Sequence, residues 1–271
     1  MEKKKILIVT HEMDPYVNLT EASKIANSLP KYIQEQGMEI RVLMPKFGHI
    51  NDRRHRLHEV VRLSGINVII NDEDYPLVIK VASLPGARLQ VYFLDNEDFF
   101  KRKTVFSDEE NNFYEDNSDR MIFFCKGVIE TVRKFGWAPD IIHCMGWMTS
   151  LIPLFLKTTY KNDPMFTNSK VIYTVGKTSF DNKLKTGFAK QIQISDSITT
   201  KHTDFFKEAD NNSLNIGGCE FADALVLEDS LDEKVVKHVK KAKGKPTFTL
   251  SPTDEESLPL LGDFYHNILA N

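Results

Sequence analysis

The sequence predicts an α/β fold: a single Rossmann-like domain with a mostly parallel sheet and helices on both faces. Three observations carry that expectation. Strand-like apolar runs alternate with helix-like segments along nearly the whole chain, as in parallel sheets covered on both sides. A length of 271 residues suits one large α/β domain. Hydrophobic residues make up 41% of the chain and include 18 phenylalanines, enough for a sizeable buried core.

Lys5 to Thr10 reads as the first strand, after a charged start. A helix over about 20–36 follows, then a strand at 39–44. Residues 52–75 carry no clear period. Two strands at 77–83 and 88–94 precede a helix at 117–135. Ile141 and Ile142 follow a Pro-Asp start and read as part of a short buried strand at 140–144. Residues 147–157 read as a helix with a largely apolar face. Strands at 170–175 and 223–227 bracket a poorly defined stretch at 176–210 and a helix at 211–219. A helix at 230–242 comes next. The tail adds a strand-like run, Thr247 to Leu250, and a helix capped by Thr253 or Asp254 with Glu256 near its start.

A net charge of −3 predicts neither nucleic-acid nor membrane partners. Cys125, Cys144 and Cys219 are odd in number and sit in apolar contexts, so they read as buried thiols in a reducing, cytoplasmic compartment. The apolar run Ile6–Val9 is too short for a signal peptide, and no stretch reaches a membrane span. No serine-hydrolase elbow, P-loop or dinucleotide fingerprint is present.

The most informative stretch is Pro139-Asp-Ile-Ile-His-Cys-Met-Gly-Trp-Met-Thr-Ser-Leu151. Its centre lies at the carboxyl end of a strand, where open α/β sheets place ligands. It resembles the P-D-I-I-H-x-H-D-W-H-T-G-L segment of bacterial glycogen and starch synthases. Met145-Gly146 stands where that family has His-Asp, and Met148 where it has the next His. Further matches run in the same order over roughly residues 3–227. His11-Glu12-Met13-Asp14-Pro15-Tyr16 is similar to S-E-x-x-P-F, and Ser28-Leu29-Pro30-Lys31 to A-L-P-K. Arg41 to Gly48 is similar to R-V-L-L-P-K-Y-G, Val91 to Asn96 to V-Y-F-L-D-N, and Tyr114 to Arg120 to Y-P-D-N-A-E-R. Val171 to Val175 sits where the family has V-F-T-I-H-N, and Asn211 to Asp223 resembles N-F-L-K-x-G-I-x-x-A-D.

The resemblance implies the N-terminal half of a GT-B fold, with residues 1–245 as the family-like domain. Residues 246–271 are expected as a strand and helix extension packed on it. The family has a second domain that binds most of the sugar nucleotide, and the 271 residues leave no room for one. The family loop K-T-G-G-L-A-D, facing the nucleotide diphosphate, aligns with Asn18-Leu19-Thr20-Glu21-Ala22-Ser23-Lys24. Diphosphate binding needs closely approaching backbone N–H groups, hence glycine, and a cation. Here Thr20 and Glu21 replace the glycines and Asn18 the lysine, while Lys24 is expected to point elsewhere. Gly176 and Lys177 replace the family's His-Asn. Glycine can neither bond a sugar nor support developing charge. Phe106 stands where the family often has a tyrosine near this loop.

The substrate-binding candidates are therefore His11, Glu12, Asn18, Thr20, Glu21, Met145, Gly146, Trp147, Gly176 and Lys177. Glu12 and His143 are the catalytic candidates, although a satisfied core histidine is the plainer reading of His143. The family needs no obligatory metal, so no metal or cofactor is expected. Zinc held by His11, His143 and Cys144 is a minor alternative that lacks a fourth ligand. The basic cluster Arg53-Arg54-His55-Arg56-Leu57-His58 with Arg62, the acidic Asp108-Glu109-Glu110 and the lysine-rich 234–245 stretch read first as solvated faces.

The leading functional expectation is a protein that transfers no glucose by itself and binds an α-glucan or a protein partner. The alternative is a retaining glucosyltransferase using ADP- or UDP-glucose, completed by a separate donor-domain chain. A different small-molecule enzyme in the Glu12–His143 cleft is the third reading. With no second domain over the cleft, Tyr16, Val17, Leu19, Met145 and Met148 are expected to form an exposed apolar patch. A homodimer is the simplest way to cover it.

Overall fold

The computed structural model describes residues 3–177, 179–242, 244–251 and 257–270. It contains a ten-stranded sheet. The strands are β1 (Lys5–Thr10), β2 (Glu39–Pro45), β3 (His58–Glu59), β4 (Ile66–Ile70), β5 (Glu73–Ser83), β6 (Gln90–Asp95), β7 (Ile141–Met145), β8 (Lys170–Val175), β9 (Ala224–Glu228) and β10 (Thr247–Leu250). Their order is β10-β9-β8-β7-β1-β2-β6-β5-β3, with β4 paired to β5. Every pair from β10 to β6 is parallel, and β5 with its partners is antiparallel.

The central strands explain this arrangement. β1 and β7 are buried on both faces, as their near-continuous apolar runs require. Ile6 pairs with Ile40 on one side and Ile141 on the other, which fixes the register at the sheet centre. The carboxyl ends of β1, β7, β8 and β9 consequently emerge side by side.

Helices cover the sheet. Ala22–Glu35 buries Ile25, Ala26, Leu29 and Ile33, an i, i+1, i+4, i+8 stripe. Asn117–Phe135 is stopped at Gly136, which adopts a left-handed φ of 61°. Within that helix Arg120 is fully buried, donating to the carbonyls of Phe99 and Val105 and to Asn117 Oδ1. It thereby ties the 97–117 loop to the core.

The C-terminal strand β10 extends the parallel edge beside β9. Helix Ser257–Ala270 packs against Ala22–Glu35, burying Leu261, Tyr265 and Ile268. The expected caps Thr253, Asp254 and Glu256 lie outside the described residues.

Several expectations need correction. Residues 147–157 are not one helix: a 3-10 turn at Trp147–Thr149 precedes the helix Leu151–Lys157. The undefined 52–75 stretch contains β3, β4 and the start of β5, with Asn71 and Asp72 both at positive φ in the β4–β5 turn. The apolar patch is absent. Tyr16, Val17, Met145 and Met148 are each at most 4% exposed, and only Leu19, at 43%, is exposed. These side chains serve the domain's own core, so the patch argument for a homodimer loses its basis.

Candidate functional site

A cavity of about 300 Å³ opens at the carboxyl edge of the sheet, between the ends of β1, β7, β8 and β9. That volume is at the small end of ligand pockets, roughly 300–1,000 Å³. His11, Glu12, Thr20 and Glu21 line one side, Met145, Gly146 and Trp147 the next, and Gly176 and Lys177 a third. Two sequence candidates stand apart. Asn18 turns away to accept from Ser23 Oγ at 3.0 Å. His143 is fully buried with both ring nitrogens engaged, Nδ1 by the Tyr265 hydroxyl and Nε2 by Thr174 Oγ1 at 2.6 Å. The bond network therefore makes His143 a core residue rather than a catalytic group, and it does not join His11 in a zinc site. Among the described residues no cluster of metal ligands occurs.

Glu12 organises the substituted loop. Its Oε2 accepts the backbone N–H groups of Thr20 at 2.7 Å and Leu19 at 3.2 Å, and its Oε1 accepts the Thr20 hydroxyl at 2.8 Å. Two N–H groups that could have faced an external anion are thus turned onto an internal carboxylate. Glu21 pairs with Lys24 at 2.6 Å in solvent, and Lys24 is not among the residues lining the cavity.

His11 and Gly146 fit each other. Gly146 has φ 85° and ψ 161°, a conformation almost restricted to glycine. A Cβ there would collide with the His11 ring, at 2.6 Å from Nδ1. The imidazole also packs edge-on with Phe106 and tilted against Trp147, with ring centroids 5.6 and 5.9 Å apart. Burial lowers the pKa of His11, opposed by Glu12 and the Met145 backbone, so the ring is neutral near pH 7. Among the described residues neither Trp147 Nε1 nor His11 Nδ1, both buried, has a hydrogen-bond partner.

Sequence reasoning missed Glu228. It ends β9, lines the cavity, and accepts the Lys177 backbone N–H at 3.2 Å. Burial raises its pKa; the Lys177 N–H opposes this, and the Glu12 charge adds to it. Its position at a strand's carboxyl end was the available signal. Asn215 was also missed; it accepts from the Tyr173 hydroxyl at 2.9 Å and donates to the Gly176 carbonyl at 3.3 Å.

The buried histidine gives a pH prediction. Burial lowers the His143 pKa from 6.5 to about 3. The unfolded chain then binds more protons between those values, so stability is complete above pH 6.5 and falls as pH drops toward 3. His143→Gln is expected to flatten that slope by up to ~1.4 kcal/mol per pH unit. Urea unfolding at pH 5 and 7 measures it, and an unchanged slope would contradict a neutral buried ring.

The family model for the starch synthase catalytic domain matches residues 5–230. The glycogen synthase of Chlorobium limicola is 36% identical over 255 residues, 93% of this chain and 50% of that protein. The glycogen synthase of Pelodictyon phaeoclathratiforme is 43% identical over 172 residues, 63% of this chain and 35% of that protein. The chain spans about half the length of the curated relatives that it matches along most of its own length. Among solved structures, the catalytic domain of starch synthase IV from Arabidopsis thaliana, bound to ADP and acarbose, is similar. Its TM-score is 0.72 at 16% identity, covering 92% of this chain and 52% of that one. At that identity the likeness shows the fold, a GT-B glycosyltransferase domain.

Proposed function

This chain belongs to the starch synthase catalytic domain family, and we propose that it binds a carbohydrate at the sheet's carboxyl edge without transferring glucose by itself. The single observation behind this reading is the Glu12 carboxylate on the Leu19 and Thr20 N–H groups. A nucleotide diphosphate brought to that loop would meet a carboxylate instead of free donors, and Glu21 beside it. At close range in a partly desolvated site such like-charge contact costs affinity. Among the described residues Lys177 is the one lysine or arginine lining the cavity, and it is exposed, so its charge is screened. Differential stabilisation of a glucosyl-transfer transition state needs groups at the leaving diphosphate, which this arrangement opposes.

Glucosyl transfer completed by a second, donor-domain chain is the competing reading. It meets the same obstacle, since a partner would not free the N–H groups held by Glu12.

Isothermal titration against maltooligosaccharides, ADP-glucose and ADP, with radiolabelled glucose transfer onto glycogen, tests the proposal. The expected outcome is heat with an oligosaccharide, none with ADP or ADP-glucose, and no transfer. Transfer abolished by Glu12→Ala would overturn it.

A further inference from the structure

A strongly basic surface lies outside the cavity. Lysine outnumbers arginine along the chain, yet four arginines and no lysine fall between residues 53 and 62. Arg53, Arg54, Arg56 and Arg62 are all exposed, and none has a carboxylate partner among the described residues. Most other arginines are committed within the fold. Arg41 lies 4.6 Å from the ring centroids of both Phe135 and Trp137, Arg102 pairs with Asp116, Arg133 pairs with Glu130 and Asp163, and Arg120 is buried. The basic segment is itself well anchored. Lys46 and Lys80 each hold Asp52 at 2.9 Å, Asn51 accepts the Arg54 backbone N–H at 2.9 Å, and the His55 ring packs on Tyr16. The nearest carboxylate in sequence thus answers two lysines and leaves the arginines alone. Arg56 sits at φ 54°, a left-handed position where glycine or asparagine is the ordinary choice. Val61, next to Arg62, is 78% exposed. The segment includes β3, the terminal strand of the sheet, so it borders the outer edge of the molecule.

We propose that residues 53–62 dock an acidic segment of a partner protein, one with several Asp or Glu side chains around an aliphatic residue. The carboxylates pair with the guanidinium groups, and the aliphatic residue covers Val61. Three properties of the segment fit that partner. Guanidinium is a planar fork that takes both oxygens of a carboxylate at once. Arginine is enriched and lysine depleted at protein interfaces, the same bias that sets this segment apart from the rest of the chain. Glu59 is the one acidic residue between 53 and 62, so the segment keeps a net positive charge. A nucleic-acid backbone accepts lysine and arginine alike and offers Val61 no apolar contact. The proposal is independent of the carbohydrate reading of the cavity.

Fluorescence anisotropy with the full chain tests it against three labelled probes. They are a glutamate–glycine peptide with one central leucine, the same peptide with glycine in place of the leucine, and an oligothymidylate of equal charge. Wild type is expected to bind the leucine peptide about threefold tighter than the glycine peptide, as partial burial of one aliphatic pair allows. Val61→Ser should erase that difference. Arg53→Glu with Arg56→Glu should weaken both peptides about tenfold, and so should the separate pair Arg54→Glu with Arg62→Glu. All five side chains are exposed, so these variants are expected to unfold in urea as wild type does, and either pair carries the test if the other does not fold. Equal binding of the two peptides, binding of neither at low salt, affinity that survives the charge reversals, or tighter binding of the oligothymidylate would each overturn the proposal. So would self-association of wild type that the same reversals abolish in light scattering, since the surface would then belong to a second copy. None of these outcomes bears on maltooligosaccharide binding, which is read separately.

Discussion

Gly146→Ala is expected to destabilise the protein by about 2–6 kcal/mol, a large share of a typical domain's stability. Two costs combine. The backbone at φ 85° and ψ 161° is poorly accessible to alanine. The new methyl group would also enter the space of the His11 ring. Only the second cost depends on His11. His11→Ala should therefore recover part of the loss, giving a coupling of about 1–3 kcal/mol in a double-mutant cycle. Urea unfolding of wild type, both single variants and the double variant measures it. Strictly additive losses would mean that the ring and the glycine do not depend on each other.

That pair also shows how far the sequence could be read. The family resemblance marked Gly146 as a departure and placed the distant His11 in a matching segment. Read one at a time, Gly146 looks like a lost hydrogen-bonding group and His11 like a ligand-binding candidate. Side by side across β1 and β7, they are complementary in volume. Thr20 gives the same lesson: as a replacement for glycine it looks like damage to a phosphate loop, yet its N–H and hydroxyl both bind Glu12. Spacing along the chain carries no information about which substitutions meet in space.

The fold was easier to read because its signals are local. Apolar runs in β1, β7 and β8, buried on both faces, mark parallel strands without tertiary information. The hairpin β4–β5 escaped because exposed Ile69 breaks the apolar alternation of Ile66, Val68 and Ile70, and β5 opens on the acidic Glu73 and Asp74. The apolar patch failed for another reason. Met145 and Met148 stand where the resembled family has polar residues, and from the sequence alone they are expected to be exposed. The structure turns both into the core, at 3% and 0% exposure. Flexible, unbranched methionine fills irregular gaps well.

Tyr265→Ala is the second large expectation, at about 3–5 kcal/mol from the lost volume. Tyr265 is fully buried in the C-terminal helix, and its hydroxyl bonds His143 Nδ1. Removing the ring also orphans that nitrogen, which adds about 1–3 kcal/mol. Tyr265→Phe keeps the ring and should cost only that second amount. Leu260→Ala, on the same helix but 56% exposed, should stay within about 0.5 kcal/mol. The three variants separate an integral helix from a loosely attached one, since equal small effects at 260 and 265 would show that the helix adds nothing to the core. They also reach the cavity. His143 holds Thr174, whose side chain lines the pocket, so the helix braces the wall from behind.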